Sequence, residues 1–361
     1  MRHAGDAASK EQPMPMVRQC IQSMTGYIPG EAPRDPSVVK LNQNENRYPP
    51  SPRVMEAIRS AMDDLALYPD STSVKVREAA AKVYGVRPEQ VMATNGSDEM
   101  LRILFQSCCD PGDAVAAFYP SYTYYETLAA MQDADYRLMD FEGEYRVPRD
   151  LDLKGVKLAF LPNPNAPTGT VFPESEIRRF VESVVDGVAV IDEAYADYSG
   201  QTAIPLIDEY DNLVVARTFS KSYSLAGLRI GLGFMNEKLL AQFEKVRDYY
   251  NLDRLAQAGA EAALLDQEWL TTTTEKIIAS RQRTAEALTA MGLKVYDSGA
   301  NFLLVRLASP EAAEDALHKL KERNVLVRYF RNRGVSDCLR VSIGTDPDMD
   351  AFLAAMRAIM P

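Results

Sequence analysis

The chain has 361 residues, with 40 Lys and Arg against 51 Asp and Glu, a formal net charge of −11. That acidic balance argues against nucleic acid and anionic membranes as partners, and still allows a small anion held by a few gathered basic residues. Two histidines, His3 and His318, stand at opposite ends and four cysteines form no CxxC pair, so a histidine-built metal site is not expected and free thiols of a reducing, cytoplasmic compartment are.

Residues 1–17 are polar, carry Asp6, and lack the apolar centre of a signal peptide; they read as a loose tail. No apolar run reaches membrane-spanning length. VREAAAKVYGV predicts a helix that ends at Gly85. Short apolar, β-rich runs follow at 91–94, 114–118, 156–161, 188–192 and 212–218, with amphipathic stretches such as ESEIRRFVESVV between several of them. The alternation predicts an α/β domain over 45–255 with a mainly parallel sheet flanked by helices. LAQAGAEAALLDQEW predicts a helical connection. Beyond it, strands in NFLLVRL, VLVRYF and CLRVSIG and helices over PEAAEDALHKLKERN and DPDMDAFLAAMRAIM predict a smaller α+β domain over 256–361, joined by 18–44.

In parallel sheets ligands gather where strands end, and four of these strands end in polar clusters. NGSDE follows the first; Ser97 there is a good helix N-cap, and Gly96 would let an anion approach the free N–H groups of the first turn. Tyr122 in FYPSYTYYE suits either the core or a stack against a flat ring. NPNAPTG is a dense turn, in which Asn165 is a neutral donor. IDEAY sets Asp192 and Glu193 at the end of an apolar strand, where a carboxylate is costly without a cationic partner; a protonated pyridine nitrogen would serve. A Walker-B-like metal carboxylate would need a GxxxxGK[ST] loop, which the chain lacks. FSKS places Lys221 after a strand end, with Ser220 before it and Arg229 eight residues on, a set suited to a Schiff base and a phosphate. Arg340, within the apolar CLRVSIGT, needs an acid from protein or substrate, and Arg328 in VLVRYF is similar.

From about Tyr27 to the C-terminus, LNQNENRYPPSP, YPD, GSDE, NPNAPTG, IDEAY, SKSYSLAGLRIG and CLRVSIGT occur in the order found in fold-type I pyridoxal-phosphate aminotransferases. The chain most resembles the histidinol-phosphate aminotransferase family. The resemblance implies pyridoxal 5′-phosphate as cofactor and Lys221 as its covalent anchor and proton carrier. It implies Asp192 against the pyridine nitrogen, Asn165 and Tyr195 at the ring's phenolic oxygen, and Tyr122 stacked on the ring. It implies Gly96, Ser97, Asp98, Ser220 and Arg229 around the cofactor phosphate. Arg340 would hold the substrate's carboxylate or its equivalent, Tyr27 and Arg328 the substrate's phosphate, and Asn44 would lie beside them. Tyr68 would reach into a partner subunit's site, which implies a homodimer. The implied reaction is a two-stage transamination between histidinol phosphate and 2-oxoglutarate in histidine biosynthesis. Aromatic-amino-acid aminotransferases and a threonine-phosphate decarboxylase share the scaffold and are the alternatives. A cofactor-binding regulator without turnover would need a DNA-binding domain, for which the stretch before Tyr27 is too short and the charge wrong.

Overall fold

Strands that are apolar at nearly every position must be covered on both faces, and the middle of this chain supplies a series of them. The computed structural model describes residues 16–26, 30–33 and 35–360. The tail's first fifteen residues and Tyr27 lie outside the described residues. In chain order the strands are β1 (Val39–Leu41), β2 (Val91–Thr94), β3 (Ala114–Tyr119), β4 (Asp135–Asp140), β5 (Val156–Pro162), β6 (Val188–Asp192), β7 (Leu213–Thr218), β8 (Gly231–Met235), β9 (Lys294–Val295), β10 (Phe302–Arg306), β11 (Val325–Tyr329) and β12 (Cys338–Ser342).

Seven of them form one sheet in the order β2-β8-β7-β6-β5-β3-β4. From β7 to β4 every pairing is parallel, and β8 runs antiparallel between β2 and β7. Alternate side chains serve opposite faces. Leu158, Phe160, Val190 and Val214 pack with Leu101, Leu104 and Phe105 of the helix Ser97–Cys108. Leu161, Ile191 and Val215 pack with Phe180 of the helix Glu174–Ser183 and Ala260 of the helix Arg254–Leu265. Each large side chain closed inside contributes about 1.5–3 kcal/mol. This is the expected α/β layering, with helices on both sides of a mostly parallel sheet. β4 and β8 are additional to the predicted strands.

The second sheet has the order β1-β11-β12-β10-β9. β1 runs parallel to β11, and the other pairings are antiparallel. The helices Pro310–Glu322 and Asp346–Ile359 supply Ala313, Leu320, Phe352 and Met356 to its core. That core also takes in Ala166, Tyr195 and Tyr198 from the loops that follow β5 and β6, so the two sheets meet where the parallel strands end. The connection between them is the helix Arg254–Leu265 followed by the 24-residue helix Gln267–Ala290.

Candidate active site

The parallel strands β5, β6 and β7 and the loops that leave them converge on one cavity. It is lined by Ser97, Asp98, Tyr122, Asp192, Tyr195, Thr218, Ser220, Lys221 and Arg229, together with Gln43 and Glu45 from the segment after β1. A second cavity adjoins it, sharing Gln43, Tyr122, Ala166, Tyr195 and Lys221, and carries Arg328 and Arg340 on its far wall.

At one end of the first cavity, Gly96 takes a positive φ of 78° and caps the helix Ser97–Cys108. The helix therefore starts at Ser97, one residue after its cap, where the sequence had suggested Ser97 itself as the cap. Residue 96 is glycine for a further reason: a Cβ there would stand 2.7 Å from Nη2 of Arg229. Arg229 in turn forms an ion pair with Asp98 at 3.0 Å and donates to Ser220 Oγ at 3.4 Å. Positive charge and free N–H groups thus face the same space, an arrangement that suits a phosphate. Gly231 backs the cradle; a Cβ there would lie 2.5 Å from the Ser97 backbone nitrogen.

At the other end Asp192 is 6% exposed. Tyr125 donates to its Oδ2 at 2.7 Å, and the Ala194 N–H donates to its Oδ1 at 3.2 Å. Burial raises its pKa above the ordinary carboxylate value, against the lowering effect of those two bonds and of Lys221. Glu193, one residue on, points the other way, as alternation along an extended chain requires. It forms a buried ion pair with Arg217 at 3.0 Å and accepts from Thr202 Oγ1 at 2.8 Å. Of the two carboxylates of IDEAY, only Asp192 faces the cavity.

Lys221 lies between the two ends. Its Nζ donates to the Gln43 carbonyl at 3.1 Å and stands 5.8 Å from the Tyr195 ring centre. The Tyr195 hydroxyl accepts from Asn44 Nδ2 at 3.0 Å. Asn44 is itself fixed to the second sheet, through its N–H to Ser342 Oγ and its carbonyl to Asn301 Nδ2. The Tyr122 hydroxyl donates to Asp98 at 3.2 Å, and its ring meets Tyr125 edge-on at 5.5 Å. Asn165 is buried beneath the cavity and does not line it: Nδ2 donates to the Pro120 carbonyl at 3.0 Å and to Thr168 Oγ1 at 2.9 Å, and Ala166 takes the facing position. Tyr68 stands apart from both cavities, 77% exposed and stacked on Tyr250 at 4.4 Å.

Gln43, Glu45, Thr218 and Tyr125 are contributions that sequence reading missed. Only Tyr125 left a signal, three residues from Tyr122 in a stretch that opens a helix, where i and i+3 share a face.

Residues 36–356 match the family model for aminotransferase class I and II. The chain belongs to that family. Its relatives include the histidinol-phosphate aminotransferase of Geotalea daltonii, 43% identical over 94% of this chain and 98% of the relative. The enzyme of the same name from Geotalea uraniireducens is 42% identical over 95% and 99%. Among solved structures, the histidinol-phosphate aminotransferase of Sinorhizobium meliloti in complex with pyridoxal-5′-phosphate superposes with a TM-score of 0.87 at 26% identity, covering 96% of this chain and 98% of that one. For this aminotransferase, likeness in sequence and likeness in fold both extend along nearly the whole chain.

Proposed function

We propose that this chain is a pyridoxal-phosphate-dependent aminotransferase that exchanges the amino group of histidinol phosphate with 2-oxoglutarate, giving imidazole acetol phosphate and glutamate in histidine biosynthesis. The observation that carries the substrate is the pair Arg328 and Arg340 on the second cavity, whose described lining holds no acidic residue. Two guanidinium groups on one cavity suit a substrate phosphate, or the carboxylate of 2-oxoglutarate in the other half-reaction, through charge-assisted hydrogen bonds.

The first cavity fits the cofactor on its own chemistry. A buried carboxylate whose charge burial disfavours calls for a cation, and a ring nitrogen that holds a proton is one. The Gly96 cradle with Ser97, Asp98, Ser220 and Arg229 suits its phosphate, Tyr122 offers a ring for stacking, and the Tyr195 hydroxyl suits the phenolic oxygen. Asn165 would reach that oxygen by giving up one of its two present bonds. Pyridoxal phosphate, when bound, supplies an aldehyde for the amine and a cationic ring that takes up the electrons of the broken Cα–H bond. Lys221 would anchor it and, once displaced by the substrate's amine, would take the Cα proton on Nζ and deliver it to the carbon two atoms along, on the far side of the amine nitrogen. The Gln43 carbonyl holds that amine in place between these duties. Asp192 keeps the ring nitrogen protonated.

Tyr68, with Leu65, Leu67, Tyr249 and Tyr250, forms an exposed apolar and aromatic surface on which a second copy of the chain would pack. A homodimer in the cytoplasm is the assembly we assign. Among the described residues no helix is long and apolar enough to cross a membrane.

The decisive experiment is an absorbance scan of purified, cofactor-loaded protein before and after glutamate, and then histidinol phosphate. Loss of the visible band with both supports transamination of this substrate. Loss with glutamate or an aromatic amino acid but not with histidinol phosphate keeps the reaction and rejects the substrate. Carbon dioxide released without a keto acceptor would favour the decarboxylase. A protein that never takes up the cofactor overturns the reading of Lys221.

A further inference from the structure

A separate cleft opens between the two sheets, away from Lys221. The first sheet's side contributes the segment around Tyr145, the end of the NPNAPTG turn at Gly169, and Tyr198; the second contributes Arg281, from the long helix Gln267–Ala290, and residues 294–299.

Two groups in this cleft are incompletely satisfied. The Tyr198 side chain is 2% exposed, and its hydroxyl has no hydrogen-bond partner among the described residues. A buried hydroxyl left without a partner is costly. Arg281 is half-buried, donates to one acceptor, the Ala300 carbonyl at 2.6 Å, and forms no ion pair among the described residues. Burial lowers its pKa, and the group that offsets this is Tyr198, so the two side chains feel each other. The other cations on the walls are already engaged: Lys294 with Glu144, and Arg146 with Glu176. The acid left over, Asp297, is exposed and forms no ion pair among the described residues.

A half-buried guanidinium without a carboxylate and a buried phenol without a partner, facing one cavity, are both donors. A single group answers both needs: an oxygen anion that accepts from each. We infer that this cleft is a second ligand site, which takes a small oxyanion, a carboxylate or a phosphate, between Arg281 and the hydroxyl of Tyr198. The site has a structural link to the first. The Tyr198 N–H donates to the Tyr195 carbonyl at 3.1 Å, and the Gly299 N–H donates to the Gly169 carbonyl at 2.8 Å. An anion held here bridges the two sheets and pins the turn that carries Tyr195.

The test uses cofactor-loaded protein carrying Arg340→Met, which weakens anion binding at the active site, titrated with sodium malonate and separately with inorganic phosphate while thermal stability is read. A saturable rise in melting temperature is expected with at least one anion, and which one acts identifies the source. Adding Arg281→Met is expected to weaken the apparent affinity at least tenfold, roughly the loss of one charge-assisted contact. Adding Tyr198→Phe, which removes one oxygen and keeps the packing, is expected to weaken it about threefold or more. No saturable rise with either anion overturns the site, and so does a rise that Tyr198→Phe leaves unchanged, even if the Arg281 variant fails to fold.

Discussion

Arg328 and Arg340 are direct partners across the antiparallel strands β11 and β12, with their guanidinium groups on the same cavity. Like charges placed opposite one another on a sheet repel. An anion that sits between them relieves that repulsion. Replacing Arg340 with Met is therefore expected to raise KM for histidinol phosphate by about tenfold to a hundredfold, the worth of a charged hydrogen bond of roughly 1.5–3 kcal/mol. Cofactor affinity and melting temperature should stay near those of the parent. Steady-state kinetics with both substrates check this, and an unchanged KM for each would remove Arg340 from the substrate site.

Asp192 sets up a trade between stability and function. Its pKa is raised above the ordinary 3.8 by burial, so the folded protein holds that proton more tightly than the unfolded chain. Without cofactor, stability is then lost as pH rises from 3.8 through the folded-state value, by about 1.4 kcal/mol for each pH unit of that window. Asp192→Asn is expected to make the cofactor-free protein more stable than the parent at pH 7, with the difference vanishing below pH 3.8. The same change should weaken cofactor binding. Melts of the two cofactor-free proteins across pH decide it, and a variant no more stable at pH 7 would show that burial of this carboxylate carries no such cost.

Gly96→Ala brings a Cβ to 2.7 Å from Arg229 Nη2 and adds a side chain at a φ of 78°. The guanidinium is the flexible partner and will swing away, leaving Asp98 with the Tyr122 hydroxyl but without its ion pair. Pyridoxal phosphate affinity is expected to fall about tenfold or more, with a stability loss of about 1–2 kcal/mol from the backbone strain. Equilibrium dialysis and chemical denaturation measure the two effects separately.

Arg217 and Glu193 lie side by side on the covered side of β6 and β7, with side chains 7% and 0% exposed. Arg217 also pairs with Asp197 at 2.5 Å and lies 5.0 Å from the Tyr84 ring centre. Removing one partner of a buried pair leaves an uncompensated charge, at about 3–5 kcal/mol. Arg217→Met should lower the denaturant midpoint accordingly, while cofactor that does bind should show an unaltered spectrum.

The parallel strands could be read from sequence because burial on both faces demands an unbroken apolar run, and VAVID and LVVART have one. β4 could not: DYRLMD is an edge strand with most positions exposed, and its charges mask the pattern. β8, GLGFM, is buried throughout, but its glycines read as turn residues. They are required by close approach instead, since Gly231 abuts the backbone of Gly96 and Ser97. The site was legible where a polar residue ended an apolar strand, as at Asp192, or followed one closely, as at Lys221. It was not legible at Gln43, which acts through its backbone carbonyl and so leaves no mark in its side chain. Nor does spacing reveal that Asn165 spends its amide on Thr168 of its own turn and on the Pro120 carbonyl, because the second bond depends on where the loop after β3 lies.

The return from β7 to β8 is short and closed. The Phe219 N–H donates to the Ile230 carbonyl at 3.0 Å and the Leu225 N–H to the Phe219 carbonyl at 3.0 Å. Lys221 and Arg229, the anchor and clamp we propose, therefore ride on a single knot whose length is fixed by its own bonds. An insertion or deletion anywhere between 219 and 230 would shift one against the other. Descendants of this gene can thus change the letters of this stretch but not their number.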